Sequence, residues 1–146
     1  MKTNQKILIA VYAIIAVLAF AGTFSQNIQL HSEGGPLGAF EAFLDGGKAN
    51  AAGRSLAVDI ALFLEAAAIF MVIEARRLGV RFVWLYLAGG FLIAISVTFP
   101  LFMIAREMRL VPAAKADAPW SLTSVDFLGL ALVTALVAAA CWYTLT

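Results

Sequence analysis

Apolar positions in this chain fall in four long runs, 7–24, 55–74, 82–105 and 127–146, separated by more polar stretches. Each run holds roughly 20 residues, enough at 1.5 Å rise per residue to cross a hydrocarbon core. A helix that is apolar on all sides has no face for water, so the pattern predicts membrane helices. The expected fold class is all-α: a polytopic transmembrane bundle of four helices in a single domain. Only the second run, SLAVDIALFLEAAAIFMVIE, carries charge well inside its limits, at Asp59 and Glu65, with Glu74 at its end.

The polar stretches predict how the helices connect. In the first, 26–54, Gly35 and Gly46-Gly47 bound a segment in which Leu37, Phe40, Phe43 and Leu44 share one helical face. A short interfacial helix is expected there, either capping the bundle or resting among headgroups. The second connection, 75–81, is short and contains Gly79, so the second and third helices should form an antiparallel hairpin. The third, 107–120, holds Pro112, Pro119 and mixed charge and reads as a solvated loop. Thr123 or Ser124 then caps the last helix. Trp84, Tyr86, Trp120, Trp142 and Tyr143 fall near run ends, where aromatic anchors belong. No internal repeat suggests a transporter built from two halves.

Composition agrees with a membrane class: 63% of residues are hydrophobic and 13% charged, far from soluble averages. The formal charge of +1 and a cluster of only three arginines, Arg76, Arg77 and Arg81, argue against a nucleic-acid partner. Cys141 is the single cysteine, so no disulfide framework or thiolate metal site is expected. His31 beside Glu33 does not amount to a metal site, and no cofactor is implied. Lys2 and Lys6 ahead of an apolar run, with Ala19-Phe20-Ala21, have some look of a signal peptide. The length of the run favours a first transmembrane helix instead.

Sidedness rests on Lys and Arg near helix ends. With four antiparallel spans, Lys2, Lys6, Arg76, Arg77 and Arg81 lie on one side, and Lys48, Arg54, Arg106, Arg109 and Lys115 on the other. That is a tie. The tight 76–81 turn and short N-terminus favour both termini on the cytoplasmic side, in a bacterial inner membrane.

The candidate chemistry is carboxylic. Glu65 sits near the centre of its span, where an acid is costly and is commonly functional, paired or protonated. At its depth the third helix offers Ser96 and the fourth Thr134. Asp59 lies about 9 Å nearer one surface. An antiparallel third helix would bring Thr98 to its level, with Arg106 in reach, so an Asp59–Arg106 pair is expected. Glu74 is expected in an ion-pair network with Arg76, Arg77 and Arg81. Successive helical residues turn by about 100°, so Glu65 projects about 120° from Asp59. These acids therefore do not form one metal cluster. Gly89-Gly90 would let a helix or ligand approach closely, and Pro100 could kink the third helix.

Asp59, the element Glu74-Ala75-Arg76-Arg77-Leu78-Gly79-Val80-Arg81 with Trp84 after it, and Pro100-Leu101-Phe102 followed by Arg106-Glu107 together resemble the DUF2834 family of small bacterial membrane proteins. The resemblance spans 59–109 and implies a helical membrane domain without naming an activity. It gives weight to Asp59, Glu74, Arg76, Arg77 and Arg106 as a shared polar set.

Three functions remain open. The first is a membrane protein that binds an apolar, isoprenoid-like ligand or lipid, or serves as an accessory subunit, with Glu65, Asp59, Ser96, Thr98 and Arg106 as the polar contacts. The second is a membrane-embedded isomerase or cyclase-like enzyme with Glu65 or Asp59 as general acid. The third is a proton-coupled small transporter, as a homo-oligomer, using Glu65. An enzyme needs polar groups converging in a cavity, whereas a packing subunit turns its acids toward partner helices.

Overall fold

The computed structural model describes residues 3–32, 35–113 and 121–146. Lys2, Glu33, Lys115, Pro119 and Trp120 lie outside the described residues, as do the side chains of His31, Leu37, Phe40 and Pro112. The elements are α1 (Thr3–Ser32), α2 (Gly35–Lys48), α3 (Ala51–Leu78), α4 (Val83–Gly89), a π-helical turn (Gly90–Ala94), α5 (Ile95–Ala113) and α6 (Ser124–Leu145). Four helical stretches are long and apolar enough to cross a membrane: Thr3–Gln29, Ala51–Leu78, Val83–Leu110 and Ser124–Leu145. The class is the expected one, an all-α bundle of membrane helices. The short helix of the first loop, α2, is longer than the 36–44 segment anticipated for it.

Local chemistry fixes the helix ends. Asn50 accepts a hydrogen bond from the Gly53 amide at 2.8 Å and caps α3. Gly79, with φ of 68°, ends α3 in the left-handed conformation that glycine adopts at little cost. The turn closes through Phe82, a non-glycine residue at φ 61° with an exposed side chain. At α6, Thr123 and Asp126 form a reciprocal capping box.

The third membrane-length stretch departs from the expected straight span. Tyr86 and Phe102 make an edge-to-face contact with centroids 5.8 Å apart, although a straight helix would separate them by about 24 Å. Thr98 lies directly against Gly89 and Gly90. Both contacts require the chain to reverse within the π-helical turn, so α4 and α5 form a helical hairpin. The two glycines permit the approach. A Cβ on Gly89 would come within 2.9 Å of Thr98 Cγ2, and one on Gly90 within 3.2 Å of Thr98 Oγ1. Asn27 of α1 donates to the Ile93 carbonyl in the turn at 3.4 Å, giving a partner to one backbone group there.

The reversal changes every later direction. α5 runs parallel to α3 rather than antiparallel: Phe99 packs between Phe63 and Phe70, and Arg106 reaches Glu74. α6 starts beside the end of α3, where Arg76 meets Asp126, and finishes beside α2, where Tyr143 donates to Asp45. The start of α1 and the end of α6 therefore lie at opposite ends of the bundle. Termini on one side, expected from four antiparallel spans, do not fit this path. The α4 arm and its turn, at about 1.5 Å per residue, reach about 18 Å, short of a full crossing.

Packing is concentrated at the α3–α4 end. Leu64, Ala67, Ala68, Met71, Val72 and Ala75 of α3 meet Val83 and Leu87 of α4, Phe102 of α5, and Val133 and Val137 of α6. Along α1 the least exposed described side chains are Gln5, Ile9, Tyr12, Ala16, Ala19, Thr23 and Asn27. Their three-and-four spacing makes a narrow seam that faces α5. Ala16, Ala19 and Thr23 in its middle are small, as suits membrane helices that approach closely. The remaining surface of the spans is studded with exposed Leu, Ile, Val and Phe, as a lipid-facing exterior requires.

Trp84, expected as an interfacial anchor, instead packs its indole over Gly129 of α6. A Cβ at position 129 would fall 2.0 Å from the ring. Gly129→Ala should therefore cost about 1–3 kcal/mol. Combined with Trp84→Leu it should cost less than the sum of the two single changes. Thermal unfolding of the four proteins in one detergent tests this, and additive losses would refute the contact.

Candidate functional site

Two groups of polar side chains stand out, one at the α3–α4 end and one midway along α3. The first is an ion-paired cluster. Glu74 Oε1 accepts from Arg77 Nη1 at 3.0 Å, and Glu74 Oε2 lies 3.4 Å from Arg106 Nε. Arg106 Nη1 donates to Glu107 Oε1 at 2.9 Å. Separately, Arg76 grips Asp126 with two hydrogen bonds, one of them 2.7 Å from Nε to Oδ2.

Burial is uneven within these pairs. Glu74 and Glu107 are each 5% exposed and Asp126 is wholly buried, whereas the Arg77 side chain is 55% exposed. The acids are held inside and the arginines reach in from the rim. This suits the chemistry: guanidinium is large, weakly hydrated and able to bridge from an interfacial position on its apolar stem. Asp126 accepts further bonds from the Thr123 amide and hydroxyl, both at 2.8 Å. Its carboxylate is saturated, so removing Arg76 would leave a buried charge held by Thr123 alone. Among the described residues three buried side-chain polar atoms have no hydrogen-bond partner: Glu74 Oε2, Arg106 Nε and Trp84 Nε1. The first two face each other as an ion pair whose geometry falls short of a hydrogen bond.

The expected network around Glu74 thus forms with Arg77 but not with Arg76, which turns to α6. Arg81 is exposed, and among the described residues no ion pair engages it. The Asp59–Arg106 pair does not form. Because α5 runs parallel to α3, Arg106 sits level with Glu74, about 22 Å along the axis from Asp59. Thr98 is likewise taken up by Gly89 and Gly90, and its hydroxyl by the Ala94 carbonyl at 3.5 Å. Ser96 is exposed.

The second group lies on the outer surface. Thr134 Oγ1 of α6 donates to Glu65 Oε1 at 2.7 Å. Glu65 is half-buried and Thr134 is exposed. Asp59 is exposed, and among the described residues no hydrogen bond or ion pair engages it. From Ala51 to Phe63, α3 has no buried residue at all. Glu65 and Asp59 therefore address the exterior of the α3–α6 pair on diverging bearings. The open depression between Ala13, Ile14, Val17 and Leu18 on α1 involves neither acid. Among the described residues no group of three His, Cys, Asp or Glu could hold a metal ion.

Asp126 is the residue that the sequence alone did not flag. Thr123-Ser124-Val125-Asp126 has the spacing of a capping box, which explains an acid at that position without any further partner.

Fold and site together define a polytopic all-α membrane protein with a folded-back helix and an ion-paired end. It belongs to the DUF2834 family: the family model, described as protein of unknown function DUF2834, matches residues 11–108. The match takes in α3, α4, most of α5 and the whole Glu74–Arg106–Glu107 cluster, and stops short of Asp126 and Thr134. No curated protein and no solved structure matches the chain.

Double-mutant cycles should separate the pairs. Glu74→Gln and Arg106→Gln should couple by about 1 kcal/mol or more, while Asp59→Asn and Arg106→Gln should add within about 0.5 kcal/mol. Equilibrium unfolding in lipid reads both cycles, and coupling only between Asp59 and Arg106 would contradict the parallel course of α5. Arg76→Ala alone should cost about 2 kcal/mol through the charge it strands, and less once Asp126→Ala is added.

Proposed function

We propose that this protein is a subunit of a larger membrane assembly, docking partner helices on the outer surface of α3 and α6. The observation that carries this reading is Asp59. It is an exposed carboxyl within a membrane-length helix, about 8 Å from the midpoint of that helix. A charged Asp facing lipid costs about 2.5–3.5 kcal/mol at a helix centre on insertion scales and less toward its ends, and such groups ordinarily face another helix or a watery cavity. Of the basic groups at the opposite end, Arg76, Arg77 and Arg106 are committed to Asp126, Glu74 and Glu107, and all lie roughly 20 Å or more along α3 or α5 from the level of Asp59. Arg54, the nearest on α3, donates to the Lys48 carbonyl. A partner helix would supply what this chain does not offer, and the Glu65–Thr134 pair, on a different bearing of α3, provides a polar contact for a second helix.

Binding an isoprenoid-like ligand, or protonating an apolar substrate, requires polar groups that converge on one point. Asp59 and Glu65 diverge by about 120° on α3, which supports the subunit reading over either.

The test is stoichiometry in native lipid. Extracted directly into polymer-bounded lipid discs, the wild-type protein should occur in particles holding more than one chain, and Asp59→Asn should release it as a single chain. Wild-type particles with one chain each would overturn the proposal. So would a specific apolar molecule that copurifies with wild type and is lost with Glu65→Gln.

A further inference from the structure

We infer that the α3–α4 end of the bundle is a contact surface for anionic lipid headgroups, and that it fixes the protein with α1 entering from the cytoplasmic side and α6 ending on the far side. The first support is the chain path. Because the α4–α5 hairpin returns to the end from which it started, Arg106 and Arg109 join Arg76, Arg77 and Arg81 instead of opposing them. α1 runs antiparallel to α5, through the Asn27 contact at Ile93, and this brings Lys6 to the same end. Six of the eight described lysines and arginines thus gather at one end, leaving Lys48 and Arg54 at the other. The even split of a four-span path becomes six against two.

The second support is where the acids go. At the α3–α4 end the described acids are Glu74, Glu107 and Asp126, and all three are buried and paired with Arg77, Arg106 and Arg76. Pairing inside the bundle removes the negative charge from the surface. Lys6, Arg81 and Arg109 remain exposed, and among the described residues no ion pair engages any of them. The rim therefore presents unpaired cations with no exposed acid beside them among the described residues. At the opposite end Glu41 and Asp45 are exposed, while Lys48 lies over the Tyr143 ring at 3.9 Å and Arg54 bonds to a backbone carbonyl. Among the described residues, surface acids thus mark one end and not the other.

Cations next to membrane helices are retained on the cytoplasmic side, and the anionic lipids of that leaflet attract them. The chemistry recognised is the phosphate of an anionic phospholipid held at the headgroup level. Charge placement and chain direction set up this surface whether or not Asp59 has a partner chain.

Single-cysteine labelling tests the orientation, in a Cys141→Ala background expressed in bacterial cells. Asn4→Cys and Phe82→Cys mark the cationic end, and Ala49→Cys and Thr146→Cys the other. A membrane-impermeant maleimide should label Ala49→Cys and Thr146→Cys in intact cells, and the other two only after permeabilisation. Labelling of Asn4→Cys and Thr146→Cys from the same side, or the reverse pattern, would overturn the inference. The lipid contact is tested with purified protein in discs of phosphatidylcholine with or without phosphatidylglycerol. Phosphatidylglycerol should raise the unfolding midpoint of the wild type by several degrees. It should leave Lys6→Gln/Arg81→Gln/Arg109→Gln unmoved, whereas Lys48→Gln/Arg54→Gln should respond like wild type. An equal response from all three proteins would refute a headgroup surface at this end.

Discussion

A helix that reverses inside a bundle must bring its two arms within a side chain's width, and it must do so where backbone groups cannot turn to water. In this chain Gly89 and Gly90 supply the width, since side chains there would run into Thr98 and Ile95. Asn27, reaching from α1 to the Ile93 carbonyl, supplies part of the hydrogen bonding. Irregular backbone at membrane depth is tolerated only where protein or a watery cavity surrounds it; α1 covers one side of this turn, while Phe91, Leu92 and Ile93 keep exposed side chains. Small side chains at Ala16, Ala19 and Thr23 on the facing seam of α1 let that cover lie close. The rest follows from the reversal. It makes α5 parallel to α3, sets Arg106 against Glu74, and returns the chain to the end where α6 begins.

The ion pairs are then a consequence of chain direction rather than its cause. Glu74, Arg77, Arg106 and Glu107 come from two helices that a straight third span would have pointed in opposite senses. Burying three acids is expensive unless each finds a cation and additional donors. Asp126 does so most fully, with Arg76 and Thr123 together, while Glu74 and Arg106 meet without a well-formed hydrogen bond. The Glu74–Arg106 contact is the longer of the two. It bridges α3 to the returning arm of the hairpin, and the Arg76–Asp126 contact bridges α3 to α6.

Much of the fold was legible because apolar run length is a one-dimensional property. The four runs, the turn at Gly79, the Thr123 cap and the helix in the first loop can each be read without knowing any partner. Thr134 could be matched to Glu65 by depth alone, since residues near the middle of their runs stay level whichever way the helices point. The reversal at Gly89-Gly90 was not legible. Paired glycines in an apolar run are ordinary packing residues, and nothing in the local sequence separates a close approach by a neighbour from one by the same chain. That one ambiguity inverted α5 and misplaced Arg106 against Asp59. It also concealed Asp126 as a partner for Arg76, because it placed the start of α6 at the wrong end.

The extent of the family match bears on how the two polar groups relate. Glu74, Arg77, Arg106 and Glu107 all lie within residues 11–108, so the hairpin and the ion pairs that tie it to α3 sit within the shared region. Arg76 lies inside that region and its partner Asp126 outside; Glu65 lies inside and its partner Thr134 outside. Trp84 stands in the same relation to Gly129. α6 thus engages the shared region through, among other contacts, a buried acid, a hydroxyl and a glycine cleft. A second membrane helix meeting those requirements could be supplied by this chain or by another. In this protein it is built in, and the exposed Asp59 is the acid of α3 that α6 leaves unmet.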